Sequence, residues 1–252
     1  MFNLSGRVAV ISGASSGLGA QMAIGFAIQG ADVAVTARRM ERLEELAKEI
    51  RDMGVRCLPV KCDVTVTESV DAAAAAVEKE FGRADILVNC AGANRGAGVL
   101  DTTDEDWQFT VDTDLTSVFK VSRAFGKIMK RNNYGRIITI ASMYGLVGNT
   151  AMDVVAYHAT KGGVVNMTRA MAAELAKYHI TCNALCPGYF ATELTGETLE
   201  TEFFKEYMRR TVPAGRYGRE GELNAAAIFL ASDEASYVTG AILPVDGGYT
   251  AI

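Results

Sequence analysis

The segment Arg7–Ser12, RVAVIS, breaks directly into a glycine-rich turn, Gly13-Ala-Ser-Ser-Gly17-Leu-Gly19, which opens a helical pattern running to Gln29. Short apolar or β-branched runs of the same kind recur at 32–37, 57–61, 86–89, 135–140, 181–186 and 241–245. Helical patterns at 40–53, 67–81, 104–132 and 156–178 lie between them. Strands that alternate with helices pair in parallel and cover both faces of their sheet. The chain is therefore expected to form a single α/β domain, a doubly wound, seven-stranded parallel sheet with helices on both faces. Such a sheet binds its ligand at the carboxyl ends of the strands.

Composition narrows the class of function. With 252 residues, 49% hydrophobic and 22% charged, the chain can bury a full core. A net charge of −5 without a basic block argues against nucleic acid. The five cysteines, at 57, 62, 90, 182 and 186, have no CxxC spacing, and the two histidines, His158 and His179, are not clustered with them. No metal site of ordinary ligand type is expected. An odd number of cysteines, with no apolar leader at the N-terminus, fits reduced thiols and a cytoplasmic protein. No apolar run reaches the length of a membrane span, so no membrane partner is expected.

The glycine-rich turn is the candidate cofactor cradle. Gly13, Gly17 and Gly19, with Ser15, Ser16 and Leu18 between them, stand where backbone can approach a pyrophosphate and a helix N-terminus can receive its charge. The spacing is Gly-x-x-x-Gly-x-Gly rather than the commoner GxGxxG, and a plain glycine turn is the alternative. The second strand ends in Arg38-Arg39 instead of an acidic residue. An acid there would bind a ribose 2′-OH, whereas arginine accommodates a 2′-phosphate, so NADP(H) is favoured over NAD(H). A solvated helix start is the plainer explanation of the two arginines.

Tyr157 and Lys161 are one helical turn apart and share a face. A phenol is a poor base at neutral pH, and an adjacent ammonium would stabilise its phenolate. Ser142, at the end of the fifth apolar run, could hydrogen-bond a substrate oxygen.

In this order the motifs resemble those of the short-chain dehydrogenase/reductase family over essentially the whole chain. The matching pieces are Gly13-x-x-x-Gly17-x-Gly19, Asp63-Val64, Asn89-Cys-Ala91-Gly92, Ser142, Tyr157-x-x-x-Lys161, Pro187-Gly188 and Val245-Asp-Gly-Gly248. The resemblance implies a Rossmann-type fold and hydride exchange between a nicotinamide cofactor and a carbonyl or secondary alcohol. It assigns Tyr157 as general acid/base, Lys161 to the phenol and the nicotinamide ribose, and Ser142 to the substrate. Asp63 with Val64 would meet the adenine, Asn89, Ala91 and Gly92 the cofactor, and Thr192, after Pro187-Gly188, the carboxamide. Two departures stand out. Asp114 replaces the family's usual asparagine, which is held to bind a proton-relay water, and is counted here with the catalytic residues. The gap from Ser142 to Tyr157 is fifteen where thirteen is typical, which should reshape one wall of the pocket.

Within the family the chain is most similar to gluconate 5-dehydrogenases and related sugar-acid or polyol enzymes. Arg95 offers a planar fork for a substrate carboxylate, with an exposed loop arginine as the alternative. Tyr189 opens a polar, glutamate-rich stretch to Val212 that is a candidate substrate lid. A 3-oxoacyl-(acyl carrier protein) reductase would want a basic rim for its acidic partner, and residues 193–210 carry five glutamates against three basic residues. A steroid or ketone reductase stays open because Tyr144, Tyr189 and Phe190 could line an apolar pocket, and a non-catalytic NADP(H) sensor is a distant alternative. The family also implies a homotetramer or homodimer built through its long helices and C-terminal strand.

Overall fold

The computed structural model describes residues 2–192, 195 and 199–252. Seven strands form one parallel sheet: β1 (Val8–Ser12), β2 (Asp32–Ala37), β3 (Cys57–Lys61), β4 (Ile86–Asn89), β5 (Gly135–Ile140), β6 (Ile180–Pro187) and β7 (Ile242–Val245). Their spatial order is β3-β2-β1-β4-β5-β6-β7. The chain winds outward in one direction from β1 and, after crossing back, in the other from β4. The seam between β1 and β4 is thus the switch point at which a doubly wound sheet opens a crevice. Ser12 is level with Thr36 on one side and Asn89 on the other, so the strand ends present one continuous edge.

The alternation inside β1 builds both layers. Ala9 and Ile11 face a core shared with α1 (Gly17–Ile28), α2 (Met40–Asp52) and α8 (Asn224–Ala231). Val8 and Val10 face the opposite core, with α3 (Thr67–Phe81) and α5 (Ser117–Asn132). Remaining helices are α4 (Asp104–Val111), α6 (Val155–Leu175) and α7 (Glu202–Thr211). Among the described residues no helix is long and apolar enough to cross a membrane.

Most elements fall within a residue or two of their sequence positions, with three differences. The helix expected over 104–132 is two helices joined by a π-helical turn, Asp112–Thr116. A π turn inserts one residue into the helical ladder and rotates the helix beyond it, and here it buries Asp114 completely. The stretch read as an unpatterned lid contains α7, whose Phe204 and Met208 are buried four residues apart. Leu199, Phe204, Met208 and Val212 form a small apolar cluster of their own. Helix α8 is absent from the sequence pattern; its apolar residues pack on α1, where Gly25 lies against Asn224.

Two glycines of the first turn are required by packing at the seam. Gly13 adopts φ +77°, and a Cβ there would stand 2.6 Å from the Ala91 backbone. At Gly19 a Cβ would stand 2.3 Å from the Gly13 carbonyl oxygen. The β1 turn, the β4 turn and α1 therefore meet backbone to backbone. Gly13→Ala should lower the unfolding free energy by about 2–4 kcal/mol, the sum of left-handed strain and an unrelieved backbone clash. Urea denaturation monitored by far-UV circular dichroism checks this, and a loss within 0.5 kcal/mol, roughly that of an indifferent surface change, would contradict it.

Candidate active site

The cradle at the start of α1 fits an anionic dinucleotide. The first turn of α1 carries no acidic residue, and Ser16 at its N-cap makes no side-chain cap, so the helix end is left to an external acceptor. Gly17, at φ +57°, faces the Thr192 methyl, 3.3–3.4 Å from where its Cβ would be. Thr192 thus stands across the cradle from the β6 side, held to Thr195 by its amide and hydroxyl. Leu18 packs into the core beneath. Gly188 permits the backbone of Asp246 to approach, since a Cβ would lie 2.7 Å from the Asp246 Cα, and Gly188 N donates to Val245 O after Pro187 closes β6.

Arg39 reaches over this loop: its guanidinium donates to Ser15 Oγ at 3.1 Å and to Ser16 Oγ at 2.9 Å. Arg38 is exposed at the end of β2, and its charge helps hold the Asp63 carboxyl below its usual range, after the hydrogen bond from Thr65. Asp63 is fixed at the next strand end by Thr65 N and Oγ1. Val64 is buried against the second core. Asn89 turns inward: its Nδ2 donates to Ser122 Oγ at 2.9 Å, and its side chain is buried. Its Oδ1 is buried without a hydrogen-bond partner, so the side chain keeps an acceptor open at the strand end beside the backbone. Ala91 supports Gly13 from below, and Gly92 lies against Asp114, so both shape the crevice floor.

The proposed chemical groups converge at the ends of β5 and α6. Lys161 is buried, and its Nζ lies 3.3 Å from Asp114 Oδ2, donates to Ile140 O at 3.2 Å and lies 5.3 Å from the centre of the Tyr157 ring. Burial works against the ammonium, but the charge of Asp114 and then the Tyr157 phenol outweigh it, and the Lys161 pKa is raised. Asp114 Oδ1 accepts from Ala93 N at 2.8 Å. Asp114 therefore pairs with Lys161 in a direct contact. Ser142 accepts the Tyr144 amide on Oγ at 3.1 Å, capping a 3₁₀ turn at Met143–Gly145, and its own O–H stays available to donate. Burial pushes the nearby Cys90 thiol up to about 12, so it packs as a neutral group and is no nucleophile.

Arg95 is placed differently from the expectation. Its guanidinium lies 3.9 Å over the Phe109 ring, with Glu105 at 3.8 Å and Asp106 at 3.7 Å. It is docked on α4 with two carboxylates beside it, and none of these partners belongs to the Ser142–Tyr157 centre. Tyr189 is brought toward the site. Its hydroxyl is 2.6 Å from that of Tyr144, and the Tyr144 ring stands edge-on to Tyr157 at 6.5 Å. Tyr249 and Tyr207 complete this aromatic wall, their hydroxyls 3.3 Å apart. Their spacing in sequence gives no sign that they meet. Of the lid acids, Glu193 and Glu197 lie outside the described residues, while Glu200 pairs with Lys205 and Glu206 with Arg209 and Arg210.

A seven-stranded doubly wound sheet with this tyrosine–lysine–serine edge defines a nucleotide-dependent oxidoreductase. The chain belongs to the short-chain dehydrogenase/reductase family: residues 13–250 match the family model described as Enoyl-(Acyl carrier protein) reductase. It is 36% identical to gluconate 5-dehydrogenase of Gluconobacter oxydans (strain 621H), covering 99% of this chain and 97% of that one. It is 41% identical to galactitol 2-dehydrogenase (L-tagatose-forming) of Cereibacter sphaeroides, again over 99% and 97%. The crystal structure of a gluconate 5-dehydrogenase from Burkholderia cenocepacia J2315, in complex with NADP and tartrate, superposes with a TM-score of 0.95 at 37% identity, covering 100% of this chain and 98% of that one.

The Asp114 carboxylate shares the Lys161 ammonium with the Tyr157 phenol. Asp114→Asn should remove the competing negative charge and leave the ammonium to act on the phenol alone. The sign is toward proton release, so the pH profile of kcat/KM for alcohol oxidation should move to lower pH, by about one unit. An unchanged profile in a folded, active variant would mean that Asp114 serves only to place Lys161.

Proposed function

We propose that the chain is an NADP(H)-dependent oxidoreductase that interconverts a secondary alcohol of a neutral polyol with the corresponding ketose. The observation that carries the reading is the chain of contacts from Asp114 through Lys161 to Tyr157, beside Ser142, on the sheet edge that also holds the α1 cradle. A nicotinamide cofactor, when bound, supplies the hydride acceptor or donor. Gly13, Gly17 and the N-terminus of α1 would hold its pyrophosphate, with Thr192 opposite and Asp63 at the adenine end. Tyr157 gives the proton to the substrate oxygen in reduction and takes it in oxidation. Lys161 favours the phenolate, and Ser142 donates to the same oxygen and fixes it. The charge of Asp114 holds Lys161 in its buried place.

Arg38 and Arg39 at the end of β2, with no carboxylate among them, support the 2′-phosphate and hence NADP(H). Arg39 already spans the cradle serines, which leaves Arg38 as the group to meet the phosphate. The neutral polyol is set ahead of a sugar acid because the half-exposed Arg95 guanidinium lies over Phe109 with the Glu105 and Asp106 carboxylates beside it. A sugar acid is the second reading, supported by the similarity to gluconate 5-dehydrogenases. The described part of the lid presents no basic rim for an acyl carrier protein. Assembly as a homotetramer or homodimer fits the exposed Trp107 and Phe119 on α4 and α5.

Tyr157→Phe should bind cofactor as the wild type does and lose about 10²–10⁴-fold in kcat, the usual contribution of general acid/base catalysis. Retention of most of the rate would remove Tyr157 from the mechanism. NADPH should bind about tenfold or more tightly than NADH, since charge-assisted hydrogen bonds to a phosphate carry that much, and Arg38→Ala should erase most of the gap. Equal affinities in calorimetry would refute the assignment. A reductase panel of D-fructose, L-tagatose, 5-ketogluconate, a steroid ketone and acetoacetyl thioester checks the substrate. The neutral ketoses should show the highest kcat/KM. If 5-ketogluconate leads instead and Arg95→Ala raises its KM about tenfold or more, the sugar-acid reading replaces the polyol one.

A further inference from the structure

Tyr144 is the most constrained side chain of the pocket wall. Its ring is stacked on His158 at 4.7 Å and 17°, and it meets Tyr157, Tyr189 and Tyr249 edge-on at 6.3–6.5 Å. Its amide is bound to Ser142 and its hydroxyl to Tyr189. The stacking partner is fixed in turn. Val154 O can only accept, so His158 Nδ1 carries the proton and donates to it at 3.0 Å. Nε2 then accepts from Asn149 Nδ2 at 3.0 Å, and the Asn149 amide cannot turn over because its Oδ1 already accepts from Ala151 N and Met152 N at 2.8 Å each. The long loop between Ser142 and Tyr157 is thereby tied to α6, and Tyr144 is clamped between that tie and the reaction centre.

This clamp fixes a hydroxyl pair rather than an apolar surface. Tyr144 is only 5% exposed. Four phenols stand together here, and the two bonds Tyr144–Tyr189 and Tyr207–Tyr249 link them in pairs. Tyr189 is also hydrogen-bonded with Tyr207 and Tyr249, so the four hydroxyls form one network, Tyr144 buried and the other three half-buried, whose phenol oxygens keep lone pairs that can accept from a ligand. We infer that Tyr144 and Tyr189 form a recognition pair for a substrate hydroxyl close to the reacting carbon, and that His158 is the positioning residue that holds the pair in place. An apolar ketone offers these oxygens no proton, and a site built to bond a hydroxyl rejects the analogue that lacks it. The inference rests on the polyol reading given above and names its specificity element.

The test compares D-fructose with its 1-deoxy and 3-deoxy analogues in the wild type and in Tyr144→Phe, Tyr189→Phe and the double variant, each checked for fold by circular dichroism and for NADPH binding by fluorescence. The quantity read is the ratio of kcat/KM for fructose to that for the analogues. The wild type should favour fructose, and each single variant should lower the ratio about tenfold or more. The double variant should fall little further, because both changes break one pair. His158→Ala should lower the same ratio, and His158→Phe, which restores a stacking ring, should recover it. If the wild type discriminates and both Tyr→Phe variants keep its ratio, the recognition pair is overturned while the polyol reading stands. A wild type that does not discriminate also overturns the recognition pair, while the polyol reading is decided separately by whether the neutral ketoses lead the substrate panel.

Discussion

The buried contact between Lys161 and Asp114 ties together four separate parts of the chain. Lys161 comes from α6, Asp114 from the π turn between α4 and α5, Ile140 O from the end of β5, and Ala93 N from the loop after β4. Taking two charges out of water is expensive, and the pair is tolerated only because each partner has further hydrogen bonds. That cost makes the arrangement specific. With one partner alone the other would be a bare buried charge, so the two helices and two strand ends are held in one mutual position. The phenol of Tyr157 rests on this frame, one turn before Lys161, and the crevice floor at Gly92 rests on the other side of it.

Much of this is legible in the chain. The strands stand out because parallel, doubly covered strands are apolar on both faces and need no partner to be recognised. The order of glycine turn, strand-end arginines, serine and Tyr157-x-x-x-Lys161 locates the edge where they meet. The π turn is hidden because Asp112–Thr116 continues the helical pattern on both sides, and only the burial of Asp114 reveals it. Helix α7 escapes the pattern although its ends carry the charges a helix dipole prefers, Glu202 first and Arg209 and Arg210 last. Its polar composition masks the four-residue spacing of Phe204, Met208 and Val212. Eight residues of α8, nearly all apolar, offer no periodicity to read.

Arg95 and the tyrosine wall show a different limit. A guanidinium after β4 is a sound candidate for binding an anion, yet the same charge and planarity suit it equally to Phe109 and the acids of α4. The choice is made by what lies within reach in space. Tyr144, Tyr189, Tyr207 and Tyr249 come from four distant segments, and their hydroxyl pairs exist only once the C-terminal turn has returned to the end of β6. Apolar lining and polar recognition look alike in a list of tyrosines; the 2.6 Å between two hydroxyls separates them.

Helix α7 is attached through its own cluster of Leu199, Phe204, Met208 and Val212, apart from the two cores that bind the sheet. Cooperative units with few buried apolar contacts open at a fraction of the global unfolding free energy. Detaching α7 exposes four apolar side chains and leaves every strand covered. Amide protons of α7 will therefore exchange with solvent far faster than those of β1 or β4, through excursions in which the sheet stays intact. The aromatic wall is hinged on that same unit, because Tyr189 packs on Phe204 at 5.1 Å. Passage to and from the crevice and the integrity of the sheet are thus governed by separate energies, one small and local, the other shared by the whole domain.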